Sequence, residues 1–169
     1  MENDHTKTTK LLRLRTTCAI AAAASLVLGA CGDDDSAEAD RSATLAPLAD
    51  SGLSGSLSLS ETDAGVRIRI KLEGCTDGAE YPVHIHEGTG CADNESQGGH
   101  WGTDGIRGEG ITNVVCKGNV ADTTYTNPHT NADQIWTLDG NQASDPTGHA
   151  FVVHANDEAK TRIACGVIE

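Results

Sequence analysis

The residues of this sequence best suited to chemistry are its histidines, six of which lie well away from the amino terminus. His84 and His86 stand two residues apart in a segment typical of a β-strand, so both imidazoles project from one face. His100 follows a pair of glycines, and His154 ends the apolar run 151–153. Because imidazole suits copper in either common oxidation state, this set predicts a copper site.

The elements that would hold these histidines are short β-strands. Residues 66–72 alternate strictly between apolar and basic side chains, the period expected of a strand with one wet face. No segment after the amino-terminal region shows a 3.6-residue apolar stripe. Eight short strands joined by Gly- and Asp-rich connections predict an all-β barrel or sandwich. The predicted strands are 55–60, 66–72, 81–87, 111–116, 120–125, 134–138, 150–154 and 162–168.

The amino terminus has the pattern of an export signal. A basic region precedes the apolar stretch 18–30, which is too short to span a bilayer as a helix. Small residues then lead to Cys31, an arrangement typical of a bacterial lipoprotein cleavage site. We therefore expect residues 1–30 to be a lipoprotein signal peptide and Cys31 to carry a lipid that anchors the chain in the bacterial cell envelope, in the periplasm or on the outer surface. An ordinary secretory signal is the alternative.

Composition separates a linker from a domain and excludes some partners. Residues 31–43 predict an acidic flexible tether, and residues 44–169 a single β-domain. The full sequence carries a formal net charge of −13. Removing residues 1–30 takes away four basic and two acidic residues, which gives −15. This charge argues against nucleic acid or an anionic membrane surface as a partner, so we expect membrane contact only through the lipid.

Four cysteines remain after export. Cys18 would leave with the signal peptide and Cys31 would carry the lipid, which leaves Cys75, Cys91, Cys116 and Cys165. Outside the cytosol four cysteines indicate two disulfides, for which three pairings are possible.

Four segments, in this order, resemble the copper/zinc superoxide dismutase family: 83–87, 98–100, 148–154 and 162–168. The resemblance implies a Greek-key β-barrel of eight strands that disproportionates superoxide. It implies that one copper ion is held by His84, His86, His100 and His154, and that Arg162 attracts and orients superoxide beside the metal. It also pairs Cys91 with Cys165, which leaves Cys75 with Cys116.

The sequence departs from the family at the zinc site. The family's zinc ligands follow the bridging histidine, here His100, but residues 101–128 contain no histidine. Zinc is therefore not expected, and only the short loop 155–161 precedes Arg162; both features resemble the copper-only branch of the family. In place of zinc, we expect Glu109, with Asp104 behind it, to hold the free ring nitrogen of His100 in a shallow, open site. His129 and His149 are interpreted as non-ligands.

Three functions compete on this evidence. An enzyme, a copper-dependent superoxide dismutase, is favoured because a carrier has no need of Arg162. The main alternative is a non-catalytic copper-binding or copper-delivery lipoprotein of the same fold. A metal-free structural sandwich is disfavoured because a histidine stands at every position implied for copper.

Overall fold

The computed structural model describes residues 40–102, 105, 107–109, 111, 113–130 and 135–169. The predicted signal peptide, Cys31 and the tether up to residue 39 lie outside these ranges. The described residues form nine strands, one helical turn and one 3-10 turn. These are β1 (Arg41–Pro47), β2 (Ser54–Thr62), β3 (Gly65–Glu73), β4 (Glu80–Tyr81), β5 (Val83–His86), α1 (Asn94–Gln97), the 3-10 turn (Arg107–Glu109), β6 (Val114–Val115), β7 (Val120–Pro128), β8 (Ala150–His154) and β9 (Arg162–Val167). Neither described helical segment has the length and apolar character needed to cross a membrane.

Seven strands form one antiparallel sheet in the order β5-β8-β9-β1-β2-β3-β7, and β4 pairs with β6. Strand β1 joins the two halves of the sheet, because 41–45 pair with β2 whereas Ala46 and Pro47 pair with β9. After β3 the chain crosses to β5 at the opposite edge of the sheet. It then comes back to form β7 beside β3, and crosses again to form β8 beside β5, which is a Greek-key arrangement. The sheet curls into a half-barrel, so the all-β fold class predicted from the sequence is confirmed.

Strand β3 shows how the sequence pattern builds the core. Its apolar side chains at alternate positions are fully buried, and the basic ones between them face outward. On the outer face the Arg69 guanidinium makes two hydrogen bonds of 2.8 Å to the carboxylate of Asp122 on β7. A slip of one residue in register would bury these charges, so the alternation fixes how β2, β3 and β7 pair.

The segment around Trp136 differs from its prediction as a strand. Of the predicted strand 134–138, the described residues 135–138 belong to no strand. The Trp136 backbone N–H donates to Asn127 Oδ1 at 3.1 Å, and its indole N–H donates to the Arg107 carbonyl at 3.0 Å. Trp136 is therefore held by side-chain and loop partners in the core rather than by a strand ladder, which the apolar pattern alone does not distinguish.

Other strands also differ from their predicted bounds, and the predicted strand 81–87 is divided into β4 and β5. Among the described residues of the predicted strand 111–116, only Val114 and Val115 have a ladder partner, on β4. Strand β1 begins at Arg41, three residues before the expected domain start at 44, and pairs there with Leu59. Ala43 and Leu45 on this strand are buried, but two apolar residues among small polar ones gave too weak an alternation to predict a strand.

The four described cysteines form two disulfides, Cys75–Cys116 and Cys91–Cys165. This is the pairing that the family resemblance implied. The first bridge joins the segment after β3 to the end of β6. The second joins the loop before His100 to strand β9.

Candidate metal centre

The site is built on the outer face of the edge strand β5 and its neighbour β8. His84 pairs across the strands with Val152, and His86 pairs with Ala150, so all four side chains share one face. The register shifts between Val153 and His154, which leaves His154 opposite Arg162 on β9. A register irregularity of this kind can change the direction of a side chain, and this one occurs at His154, the last residue of β8.

His100 comes to the site from the loop that follows α1. It forms an isolated antiparallel bridge with His86 on the free side of β5. The bridge is fixed by two backbone hydrogen bonds of 2.9 Å, from Glu87 N–H to the Gly99 carbonyl and from Trp101 N–H to the Ile85 carbonyl. The loop therefore acts as a further strand segment that places His100 beside the other three histidines.

The four histidines converge on one point. Each offers a ring nitrogen, and these nitrogens of His84, His86, His100 and His154 all lie within 4.8 Å of one another. Nε2 of His86 and Nε2 of His154 lie 3.2 Å apart. Within the described part of the chain, this is the one group of three or more potential ligands with such spacing.

Three of the rings have their Nδ1 atoms engaged by oxygen acceptors. Nδ1 of His86 lies 3.0 Å from the Gly98 carbonyl, and Nδ1 of His154 lies 2.8 Å from the Lys160 carbonyl. Nδ1 of His100 lies 3.0 Å from Oε1 of Glu109. An oxygen acceptor at Nδ1 places the proton there, so each Nε2 carries the lone pair that a metal requires.

The fourth ring, His84, has a different arrangement. Its Nδ1 atom is buried and has no hydrogen-bond partner among the described residues. An unpaired polar atom in the interior is costly, so such an atom calls for a bound group. A metal ion at the centre of the cluster would be that group, and the four-imidazole donor set suits copper.

Burial keeps the rings ready to bind a metal. Loss of hydration is the main cause that lowers the pKa of His84 to about 3, and it also lowers the pKa of His86 to about 4. The pKa of His154 is lowered for the same reason. At neutral pH these three imidazoles are neutral, which is the form that coordinates metal ions.

Arg162 lies beside the cluster on β9. It lines, together with Lys160 and three of the histidines, a cavity of about 750 Å³ that opens to solvent. Its guanidinium is held by hydrogen bonds to the segment 94–98, which contains α1. Lys160 and Arg162 place two positive charges at this opening, which favours the approach of an anion even though the whole chain is acidic.

The remaining histidines stand apart from the cluster. Nε2 of His129 lies 2.8 Å from a carboxylate oxygen of Glu61, at the protein surface. Nδ1 of His149 lies 3.1 Å from the Glu87 carbonyl, and its ring packs 4.9 Å from the Trp101 ring. Asp104, expected behind Glu109, lies outside the described residues.

Two residues of the site were not singled out from the sequence. Gln97 is buried and contacts Arg162, and the start of its helical turn does carry a signal, since Asp93 and Ser96 form a capping box. Lys160 turns its carbonyl toward His154 with a positive φ of 49°. No sequence pattern predicts that conformation for a lysine.

Comparison with known proteins agrees with this geometry. The family model described as copper/zinc superoxide dismutase matches residues 53–168, well over half of the chain. The crystal structure of a double mutant of a SOD-like protein from Bacillus subtilis is similar at a TM-score of 0.59 and 23% identity, covering 75% of this chain and 95% of that one. At this identity the likeness shows the fold alone, and no curated protein matches the chain. On the extent of the family match, the chain belongs to the copper/zinc superoxide dismutase family.

Proposed function

We propose that this protein is a copper-dependent superoxide dismutase of the bacterial cell envelope that works without a zinc site. The observation that carries the proposal is the convergence of four imidazoles, three of which line an open cavity together with Arg162. Two disulfides favour an oxidising compartment. Recovery of the protein in the cytosolic fraction of cells would contradict the envelope part of the proposal.

The histidines and Arg162 have different roles in this proposal. Bound copper would supply the redox change by which two superoxide ions and two protons become oxygen and hydrogen peroxide. His84, His86, His100 and His154 hold the ion through neutral ring nitrogens. Arg162, which stays charged at any physiological pH, attracts superoxide and orients it at the opening of the cavity. The cavity faces solvent, so protons and products exchange directly with water.

The first test is superoxide decay by the protein loaded with one copper ion, compared with metal-free protein and the Arg162→Ala variant. We expect fast decay that requires copper, does not rise when zinc is added, and slows about tenfold or more without the guanidinium, since local charge can raise association rates by that amount. Pulse radiolysis or stopped-flow absorption measures the rate.

Lys117→Ala is the matched control. Lys117 is an exposed cation in the turn before β7 and does not line the cavity. Its loss changes the net charge equally and should leave the rate nearly unchanged. Decay no faster than that of metal-free protein, at full copper occupancy, would instead favour the copper-binding or copper-delivery role.

Glu109 takes the place that a zinc ion would have beside His100 in this proposal. The 3-10 turn that carries it packs against β5, and its Gly108 N–H donates to the carbonyl of Trp101, the residue after His100, at 2.8 Å. A β-carbon at position 108 would collide with the Ile85 carbonyl, so only glycine allows this approach. The turn thereby sets the Glu109 carboxylate 3.0 Å from His100 Nδ1.

Removing this carboxylate should weaken the site measurably. Outer carboxylates of metal sites typically contribute about 10–100-fold in affinity or activity. The Glu109 side chain is 53% exposed, so solvent screening places our expectation for Glu109→Ala at about tenfold in copper affinity. Glu109→Gln, which keeps an acceptor oxygen, should lose less.

Chelator competition measures the copper affinity, and Glu80→Ala, at an exposed position of β4, is the control for loss of a carboxylate. Equal affinities in Glu109→Ala and Glu80→Ala would show that Glu109 does not support the metal site.

A further inference from the structure

The guanidinium of Arg162 is held by a single helical turn. Its Nη1 donates to the Asn94 carbonyl and to Oε1 of Gln97, both at 3.0 Å. Its Nη2 donates to the Gly98 carbonyl at 2.8 Å. Three acceptors from five consecutive residues therefore fix both the position and the plane of the guanidinium fork.

The turn itself is firmly built. Asp93 Oδ1 accepts the Ser96 N–H at 2.7 Å, and Asp93 N–H donates back to Ser96 Oγ at 3.0 Å, which closes a capping box. The turn also packs on the end of the histidine strand, because Gly88 N–H donates to the Gln97 carbonyl at 2.9 Å. A side chain at position 88 would collide with this backbone.

Gln97 is the one side chain among the three acceptors. It is 1% exposed and lies behind Arg162, outside the lining of the cavity. It therefore acts on the site through Arg162, which lies between it and the cavity. The Gly98 carbonyl beside it also lies 3.0 Å from His86 Nδ1, so the same turn orients the cation and a metal-binding ring.

All three acceptors are uncharged. Two are backbone carbonyls and the third is an amide oxygen, so they orient the guanidinium without cancelling its charge. A carboxylate at position 97 would make equally good hydrogen bonds but would form an ion pair with Arg162 in a poorly hydrated place, where opposite charges interact strongly. The amide thus leaves the positive charge directed at the cavity.

We propose that Gln97 is a positioning residue that holds Arg162 in place while preserving its charge for an anion approaching the histidine cluster. The inference rests on the proposed function, because superoxide is the anion concerned. The inference adds that anion affinity depends on residue 97 being uncharged.

The test uses azide, a small anion that binds copper and gives an absorption band, with the protein loaded with one copper ion. Gln97→Glu should weaken azide binding about tenfold, because its carboxylate offsets the charge of Arg162. Gln142→Glu makes the same chemical change at an exposed position that does not line the cavity, and should change the affinity less than about twofold. Superoxide decay is measured on the same samples.

A second, uncharged variant keeps the test informative if Gln97→Glu fails to fold. Gln97→Asn is uncharged but one methylene too short to reach Nη1, and should weaken azide binding by less than Gln97→Glu. Wild-type azide affinity in either folded variant would overturn the inference. If azide binding depends on residue 97 but the protein does not turn over superoxide, the proposed function alone is contradicted. If superoxide turnover is rapid and Gln97→Glu does not change it, the inference alone is contradicted.

Discussion

His84→Ala is expected to lower copper affinity more than about a hundredfold, beyond the loss typical of an outer carboxylate, and to abolish copper-dependent superoxide decay. The other three rings already have partners at Nδ1, whereas Nδ1 of His84 is buried and unpaired in the described structure. A metal ion is the partner that this nitrogen lacks. Its removal takes away one of the four imidazole ligands.

The same variant should have an unusual effect on stability. In metal-free protein, alanine removes a buried polar atom that had no hydrogen bond, so the free energy of unfolding should fall little, in spite of the small cavity that is created. Copper should raise the melting temperature of the wild type, because it binds the folded state, but should not raise that of His84→Ala. A calorimetric scan with and without copper separates a metal ligand from a structural histidine.

His129→Ala is the matched control, because His129 is a surface histidine paired with Glu61 outside the cluster. It should retain copper binding, turnover and the copper-induced rise in melting temperature. If His84→Ala and His129→Ala were to bind copper equally well, the four-histidine site would be wrong.

The contrast between predicted and observed structure has a physical basis. The strand pattern of β3 and the pair His84 and His86 depend on a period of two residues, which is written directly in the sequence. The family segments, in turn, marked His100, His154 and Arg162. The structure brings the four histidines together, and three of them line one cavity with Arg162.

What could not be predicted depends on contacts between distant segments. The register shift that sets His154 opposite Arg162 arises from the pairing of β8 with β9, and no local residue pattern marks it. Gln97 contributes by accepting a hydrogen bond from the guanidinium of Arg162, 65 positions along the chain. Likewise Trp136 has the composition of a strand residue, but its backbone is bound by the side chain of Asn127.

The Cys91–Cys165 disulfide connects these long-range features, and its removal should affect stability and activity together. Cys91 lies three residues before Asn94, and Cys165 lies three residues after Arg162, so the bridge ties the helical turn to the strand whose arginine it holds. For a sequence separation of 74 residues, the chain-entropy model gives a loss of about 4 kcal/mol in the free energy of unfolding. In the double variant Cys91→Ala and Cys165→Ala, the turn is also free to drift from Arg162, so we expect the folded protein to lose about tenfold in superoxide decay.

The second disulfide supplies the control for this argument. Cys75–Cys116 spans 41 residues, for which the same model gives a similar loss of about 4 kcal/mol, but neither cysteine lines the cavity or belongs to the loop that holds Arg162. The double variant Cys75→Ala and Cys116→Ala should therefore be destabilised to a similar degree in urea unfolding while keeping its turnover per folded, copper-loaded molecule. Equal losses of turnover in the two double variants would mean that the disulfides act only through stability. Loss confined to the Cys91–Cys165 variant would show that cross-linking the turn to β9 is what keeps the guanidinium at the histidine cluster.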